Sequence, residues 1–217
     1  MDVSFIGLLL VLAVGLTSAD NTNPCFTFYG NGYLRFHLDK FDNSNSAHYS
    51  LKFATTASHG LLIYSEGLHG DDEALYIRNG RLVYHLFNSS PSGVEGYFGA
   101  HFMGEVPVNT GDQIEVHMYR SFNVTDEVQR TTQEQTGLVY TVGGTTYSHV
   151  DFRPRIGISL NDDVYVGGYK QSLSDTVGNF TGQISSIREE KNEALFRTFS
   201  LNSGGSVSTN CLTINPV

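Results

Sequence analysis

The sequence predicts an all-β domain built as an antiparallel sandwich, and three observations carry that prediction. Apolar and polar residues alternate with period two along most of the chain. Asn-Gly and Gly-Gly pairs stand between apolar runs, where tight hairpins turn. Gly, Asn and Ser recur at short intervals, which punctuates many short strands.

The elements follow in order. Residues 5–16 are apolar and uncharged, and Thr17, Ser18 and Ala19 follow. That is the hydrophobic stretch and cleavage region of a secretory signal peptide, too short to span a bilayer, although Asp2 stands where Lys or Arg is usual. The expected division is residues 1–19 as signal peptide and 20–217 as one domain, with its core at about 25–212. The product is then secreted to the extracellular space, with no transmembrane anchor.

Leu34, Phe36 and Leu38 alternate with Arg35 and His37. Tyr49, Leu51 and Phe53 alternate with Ser50 and Lys52, and Ile114, Val116 and Met118 with Glu115, His117 and Tyr119. Each run reads as a strand buried on one face. Asn79-Gly80 and Gly143-Gly144 supply the positive φ values of hairpin turns. Residues 120–136 are polar and poorly patterned, and read as an exposed loop, an insertion or a strand with a solvated face. A short helix is the expectation for residues 186–193.

The two cysteines, Cys25 and Cys211, lie near the two ends of the mature chain. Outside the cell such a pair reads as a disulfide, and no CxxC spacing points to redox or metal chemistry. In the chain-entropy picture so long a loop contributes about 4–5 kcal/mol. Asn88, Asn123 and Asn179 each open an Asn-x-Ser/Thr triplet and are candidate glycosylation sites, Asn88 the weakest because Pro91 follows. The formal charge is −9, and Lys and Arg are scattered singly. The sequence lacks the basic patch that a nucleic-acid or heparin surface needs, so no nucleic-acid partner is expected.

Six pieces of the sequence, in order, resemble the laminin G-like (LNS) family. They are FYGNGYLRF (28–36), HYSLKFATTASHGLLIYSEG (48–67), DDEALYIRNGRLVYHL (71–86), LVYTVGG (138–144), VYVGGY (164–169) and NFTGQISSI (179–187). The resemblance implies a jelly-roll β-sandwich of about 14 strands, of the kind shared with concanavalin-like lectins. Gly143 stands in the usual place of an Asp, and Gln183 where many members carry a Cys. Cys211 keeps the late cysteine position, so the resemblance gives it Cys25 as partner.

Members of the family that bind Ca²⁺ hold it on the sandwich rim. Carried onto this sequence, the ligands are the Asp71 carboxylate, a carbonyl at Asn88, a carbonyl at Leu160 and the side chain of Asn161 or Asp162. Calcium is a hard cation that takes six to eight oxygens, and one or two carboxylates give a weak site, with a dissociation constant of roughly 10⁻⁴–10⁻³ M. Along an extended strand Asp71 and Asp72 point to opposite sides, so one at most faces an ion. The bland alternative is that Asp71/Asp72 and Asp162/Asp163 are solvated loop acids.

Other chemistry is poorly supported. The eight histidines show neither HxH nor HExxH spacing and read as scattered, solvent-facing strand residues. Asp71, Glu73 and Glu105 are available carboxylates, but the paired-acid strand of a glycosidase and the GxSxG elbow are both missing. The chain therefore reads as a non-catalytic recognition or adhesion module, binding an extracellular glycan or protein through a calcium-bearing rim. The alternative is a structural component of an acidic, mineralised matrix without a discrete ligand site. A small-lipid carrier, with its ligand between the sheets, finds no polar cluster that the sequence places inside. A homodimer through a free sheet edge completes the expected partners.

Overall fold

The structure is a computed structural model, and it describes residues 24–37, 46–67, 70–89, 99–153, 155, 158–161, 163–170, 177–190, 196 and 205–211. The expected signal peptide lies outside the described residues. Thirteen strands are found among them: β1 (Cys25–Tyr29), β2 (Leu34–His37), β3 (Ala47–Ala54), β4 (Gly60–Glu66), β5 (Asp72–Arg78), β6 (Arg81–Phe87), β7 (Gly99–Met103), β8 (Ile114–Asp126), β9 (Thr131–Val142), β10 (Thr145–Asp151), β11 (Asp163–Val166), β12 (Thr181–Glu189) and β13 (Val207–Ser208). They form a seven-stranded sheet in the order β10-β9-β8-β3-β12-β1-β13 and a six-stranded sheet in the order β2-β11-β4-β5-β6-β7. Neighbouring strands pair antiparallel throughout.

The alternation seen in the sequence is the burial pattern of the strands. In β3, Ala47, Tyr49, Leu51 and Phe53 are buried, and the residues between them are half-buried. Phe26, Phe28, Phe36, Phe53, Phe180 and Phe196 fill the space between the sheets. Their rings meet edge to face, Phe28 with Phe180 at 6.1 Å and Phe36 with Phe196 at 4.9 Å. Each such side chain contributes about 1.5–3 kcal/mol by leaving water, and edge-to-face ring pairs add to that.

Both predicted hairpins are present. Asn79 and Gly80, at φ 52° and 74°, join β5 to β6, and Gly143 and Gly144, at 55° and 80°, join β9 to β10. These left-handed values are those a two-residue turn needs to match the strand twist. Gly167 (φ +76°), just past β11, is required for a second reason: a Cβ there would stand 2.1 Å from the Phe28 ring.

Two stretches settle differently from the simplest reading. Residues 120–136 form the far half of the β8–β9 hairpin, whose outer residues are exposed on both faces, so no period-two pattern marks them. The helix expected at 186–193 is absent from its described part. Ser186–Glu189 continue β12, with Arg188 and Glu189 paired to β3, and a bulge with Ser186 at φ 54° absorbs the irregular sequence. Ladder pairing with β3 outweighs a weak local helical preference.

Cys25 and Cys211 are joined in a disulfide, with Cα atoms 5.4 Å apart across 186 positions of sequence. The pairing follows from the sheet, because β13 lies beside β1.

Candidate functional site at the sandwich rim

The acids of GDDEAL are sorted by the strand that follows them. Successive side chains of an extended chain point to opposite faces. Asp71 and Glu73 accordingly turn inward, 3 % and 1 % exposed, while Asp72 turns to the outer face of the six-stranded sheet.

Asp71 ties loops together. Its Oδ1 accepts hydrogen bonds from the Ser89 backbone N–H and the Ser89 hydroxyl, both at 2.8 Å. Its Oδ2 accepts one from the Ser159 backbone N–H at 2.7 Å. The Asp71 carbonyl receives the Gly67 N–H at 2.7 Å, and the Glu66 carbonyl receives the Asn161 N–H at 2.7 Å. Gly67 also bridges to Leu160. Through its carboxylate and its backbone carbonyl, Asp71 thus holds the ends of β4 and β6 and the approach to β11 in a single rim. Hydrogen bonds to a charged acceptor are worth about 1.5–3 kcal/mol each.

Four of the five residues expected as ion ligands are close to this point in the fold. Asp71 and Asn88 are buried, Leu160 and Asn161 are half-buried beside Ser159, and Asp162 lies outside the described residues. The donors on Asp71 are N–H and O–H groups, whose positive ends face the carboxylate where a cation would need to stand. Among the described residues no group of three or more His, Cys, Asp or Glu side chains is placed to hold a metal ion. Among the described residues, Asp71 acts as a clamp between loops.

The candidate glycosylation sites differ in setting. Asn88 is 1 % exposed, which leaves a glycan no room without opening the rim. Asn123 is exposed on the β8–β9 hairpin, and Asn179 is half-buried, its Oδ1 accepting a long 3.4 Å bond from the Tyr169 N–H.

Sequence reading places no polar cluster inside the sandwich, and the structure corrects this. Glu73 Oε1 accepts from the Tyr84 hydroxyl at 2.8 Å and from Arg120 Nε at 3.1 Å, and Arg120 is fully buried. Ser65, directly opposite Glu73 on β4, and Arg155 are buried as well. Burial lowers the tendency of Arg120 to hold its proton, but Glu73, Tyr49 and Tyr84 outweigh it, so its pKa is raised. Burial, then the Glu73 charge, pushes the Tyr84 hydroxyl well above the usual tyrosine range. Glu73 is therefore committed to a structural ion pair, and Glu105 is exposed beyond β7. Arg120 lies 47 positions from Glu73, so no local signal joins them.

Two further groupings escaped the sequence. Tyr64, Tyr165 and Tyr169 form a small cluster outside the main core. There the Tyr169 hydroxyl donates to Glu66 Oε2, and Lys170 Nζ lies 2.8 Å from Glu66 Oε1 and 5.3 Å from the Tyr169 ring centroid. Burial, then the bond to Glu66, pushes the Tyr169 hydroxyl up to about 12. The histidines are also less scattered than they read: His48 meets His117 across β3 and β8, and His85 meets His101 across β6 and β7.

Comparison with protein-family models matches the laminin G domain over residues 53–192. The chain belongs to the laminin G domain family. This laminin G domain is similar in structure to the LG1-3 region of the laminin alpha2 chain, at 15 % identity and a TM-score of 0.67, with 88 % of this chain and 35 % of that one covered. It is also similar to domains LG4-5 of the mouse laminin alpha1 chain, at 16 % identity and a TM-score of 0.59, with 85 % and 46 % covered. At these identities the likeness is one of fold, and this chain spans less than half the length of either. A comparison with curated proteins finds no match. Laminin G domains are typically extracellular, generally non-catalytic, and bind proteins or glycans. No helix among the described residues is long and apolar enough to cross a membrane.

Proposed function

We propose that this laminin G domain is a secreted recognition module that binds an extracellular glycan or protein at the rim held by Asp71. The observation that supports the reading is the convergence of three chain segments on the buried Asp71, through its carboxylate and its carbonyl, which fixes the loops before a partner arrives. Loops fixed in advance lose less conformational freedom on binding, and that raises affinity without new contacts. The half-buried Asn161 and Leu160 and the exposed Gly70 and Ser89 form the surface offered there.

Calcium belongs to this proposal as a weak ligand of the same rim. Asp71, the carbonyls of Asn88 and Leu160, and the side chain of Asn161 or Asp162 would hold it once the ion displaced a donor from Asp71. That displacement weakens an already weak class of site. Of the three sequons, Asn123 has the setting that suits a glycan. The test of the reading is to pass the secreted chain over arrayed extracellular glycans and matrix proteins, with and without millimolar calcium. Saturable binding that Asn161→Lys removes supports it. Binding of acidic-matrix or mineral surfaces that no single rim substitution changes would replace it with the matrix-component alternative.

A further inference from the structure

On the outer face of the six-stranded sheet, His85 of β6 and His101 of β7 stand directly opposite in register. Their Nδ1 atoms are 3.4 Å apart. That is long for a hydrogen bond between rings, where N–H donors usually reach 2.7–3.2 Å. It is the separation expected of two nitrogens bound to one tetrahedral ion: bonds of about 2.0–2.1 Å put them about 3.3–3.4 Å apart. Behind the pair, Asp72 Oδ1 lies 3.4 Å from His85 Nε2. A carboxylate beside Nε2 favours the tautomer that carries its proton there, which leaves the lone pair at Nδ1, and outer-shell carboxylates commonly orient metal-binding histidines in this way.

From this geometry we propose that His85 and His101 bind a zinc- or copper-like divalent ion through their Nδ1 atoms, with Asp72 orienting His85. Imidazole suits these ions, whereas calcium prefers oxygen. Access is open, since His101 is exposed, and Phe87 and Met103, two residues further along the same strands, are 44 % and 46 % exposed. Two protein ligands leave the remaining positions to water or to a group from a partner. The other pair does not match this pattern: His48 Nε2 and His117 Nδ1 are 3.0 Å apart, a hydrogen-bond distance, and the His48 side chain is only 14 % exposed.

The test is calorimetric titration of the full, untagged chain with Zn²⁺, repeated with Cu²⁺ while following visible absorption. Wild type is expected to take up one ion per chain at this site, and millimolar calcium is expected not to displace it. Asp72→Asn should weaken binding about 10–100-fold, and His101→Ala should weaken it more than that. His101→Cys, which restores a ligand for zinc, should recover uptake. Because His101 is exposed, its variants should melt like wild type, so lost binding cannot be ascribed to lost fold. No saturable uptake by wild type, or equal uptake by wild type and His101→Ala, would overturn the proposal.

Discussion

Replacing Asp71 with alanine is expected to cost the fold far more than a surface acid would. The side chain is 3 % exposed and accepts three short hydrogen bonds, two from Ser89 and one from the Ser159 N–H. Alanine removes every acceptor and leaves two backbone donors to find water. Each unpaired buried donor costs about 1–3 kcal/mol, and hydrogen bonds to a charged acceptor are worth more than neutral ones. The expected loss is therefore about 3–5 kcal/mol, which for a domain of this size lowers Tm by roughly 10 °C. Asp71→Asn keeps the shape and one acceptor oxygen, and should lose about half as much. The assay is urea unfolding at pH 7 with the disulfide intact, comparing midpoints at constant m. A loss below about 1 kcal/mol in Asp71→Ala would refute the clamp, because a solvated loop acid behaves in that way.

Three further outcomes are expected. Arg120→Ala strands the buried Glu73 carboxylate and should cost about 3–5 kcal/mol, whereas the double variant Arg120→Met with Glu73→Leu should recover most of it, as measured by urea midpoints. Gly167→Ala combines an unfavourable φ of +76° with a clash against the Phe28 ring, and should cost about 3–4 kcal/mol in thermal melts. Burial, then His117, lowers the His48 pKa to about 4, so between the ordinary histidine value and 4 the unfolded chain takes up a proton that the folded chain does not. Stability should then fall by about 1–2 kcal/mol from pH 7 to 4.5 on this account, and His48→Gln should flatten that part of the profile.

How much of this was legible depends on the range of the interaction. Strands β2, β3 and the first half of β8 were readable because one face meets the core and the other does not. The β5–β6 and β9–β10 turns were readable because Asn-Gly and Gly-Gly are local chemistry. The outer half of the β8–β9 hairpin was not, since strands exposed on both faces carry no alternation. Asp71 was readable as a special acid, but its role was not: the donors that claim it come from Ser89 and Ser159, 18 and 88 positions away. The same limit hid the Glu73–Arg120 pair and the two histidine pairs, which sheet register alone brings together. Residues 186–189 show the converse, a local helical hint overridden by pairing with β3.

On the proposed reading, the Asp71 rim is the binding surface of this laminin G domain. The most direct measurement is the affinity of the secreted chain for a partner recovered from the glycan and matrix-protein arrays. Wild type would be compared with Asn161→Lys on the rim and with Lys52→Glu on the seven-stranded sheet, at matched thermal stability. The account predicts that Asn161→Lys abolishes binding and Lys52→Glu leaves it unchanged. Loss in Lys52→Glu with Asn161→Lys unaffected would contradict it and move the binding surface to the sheet face.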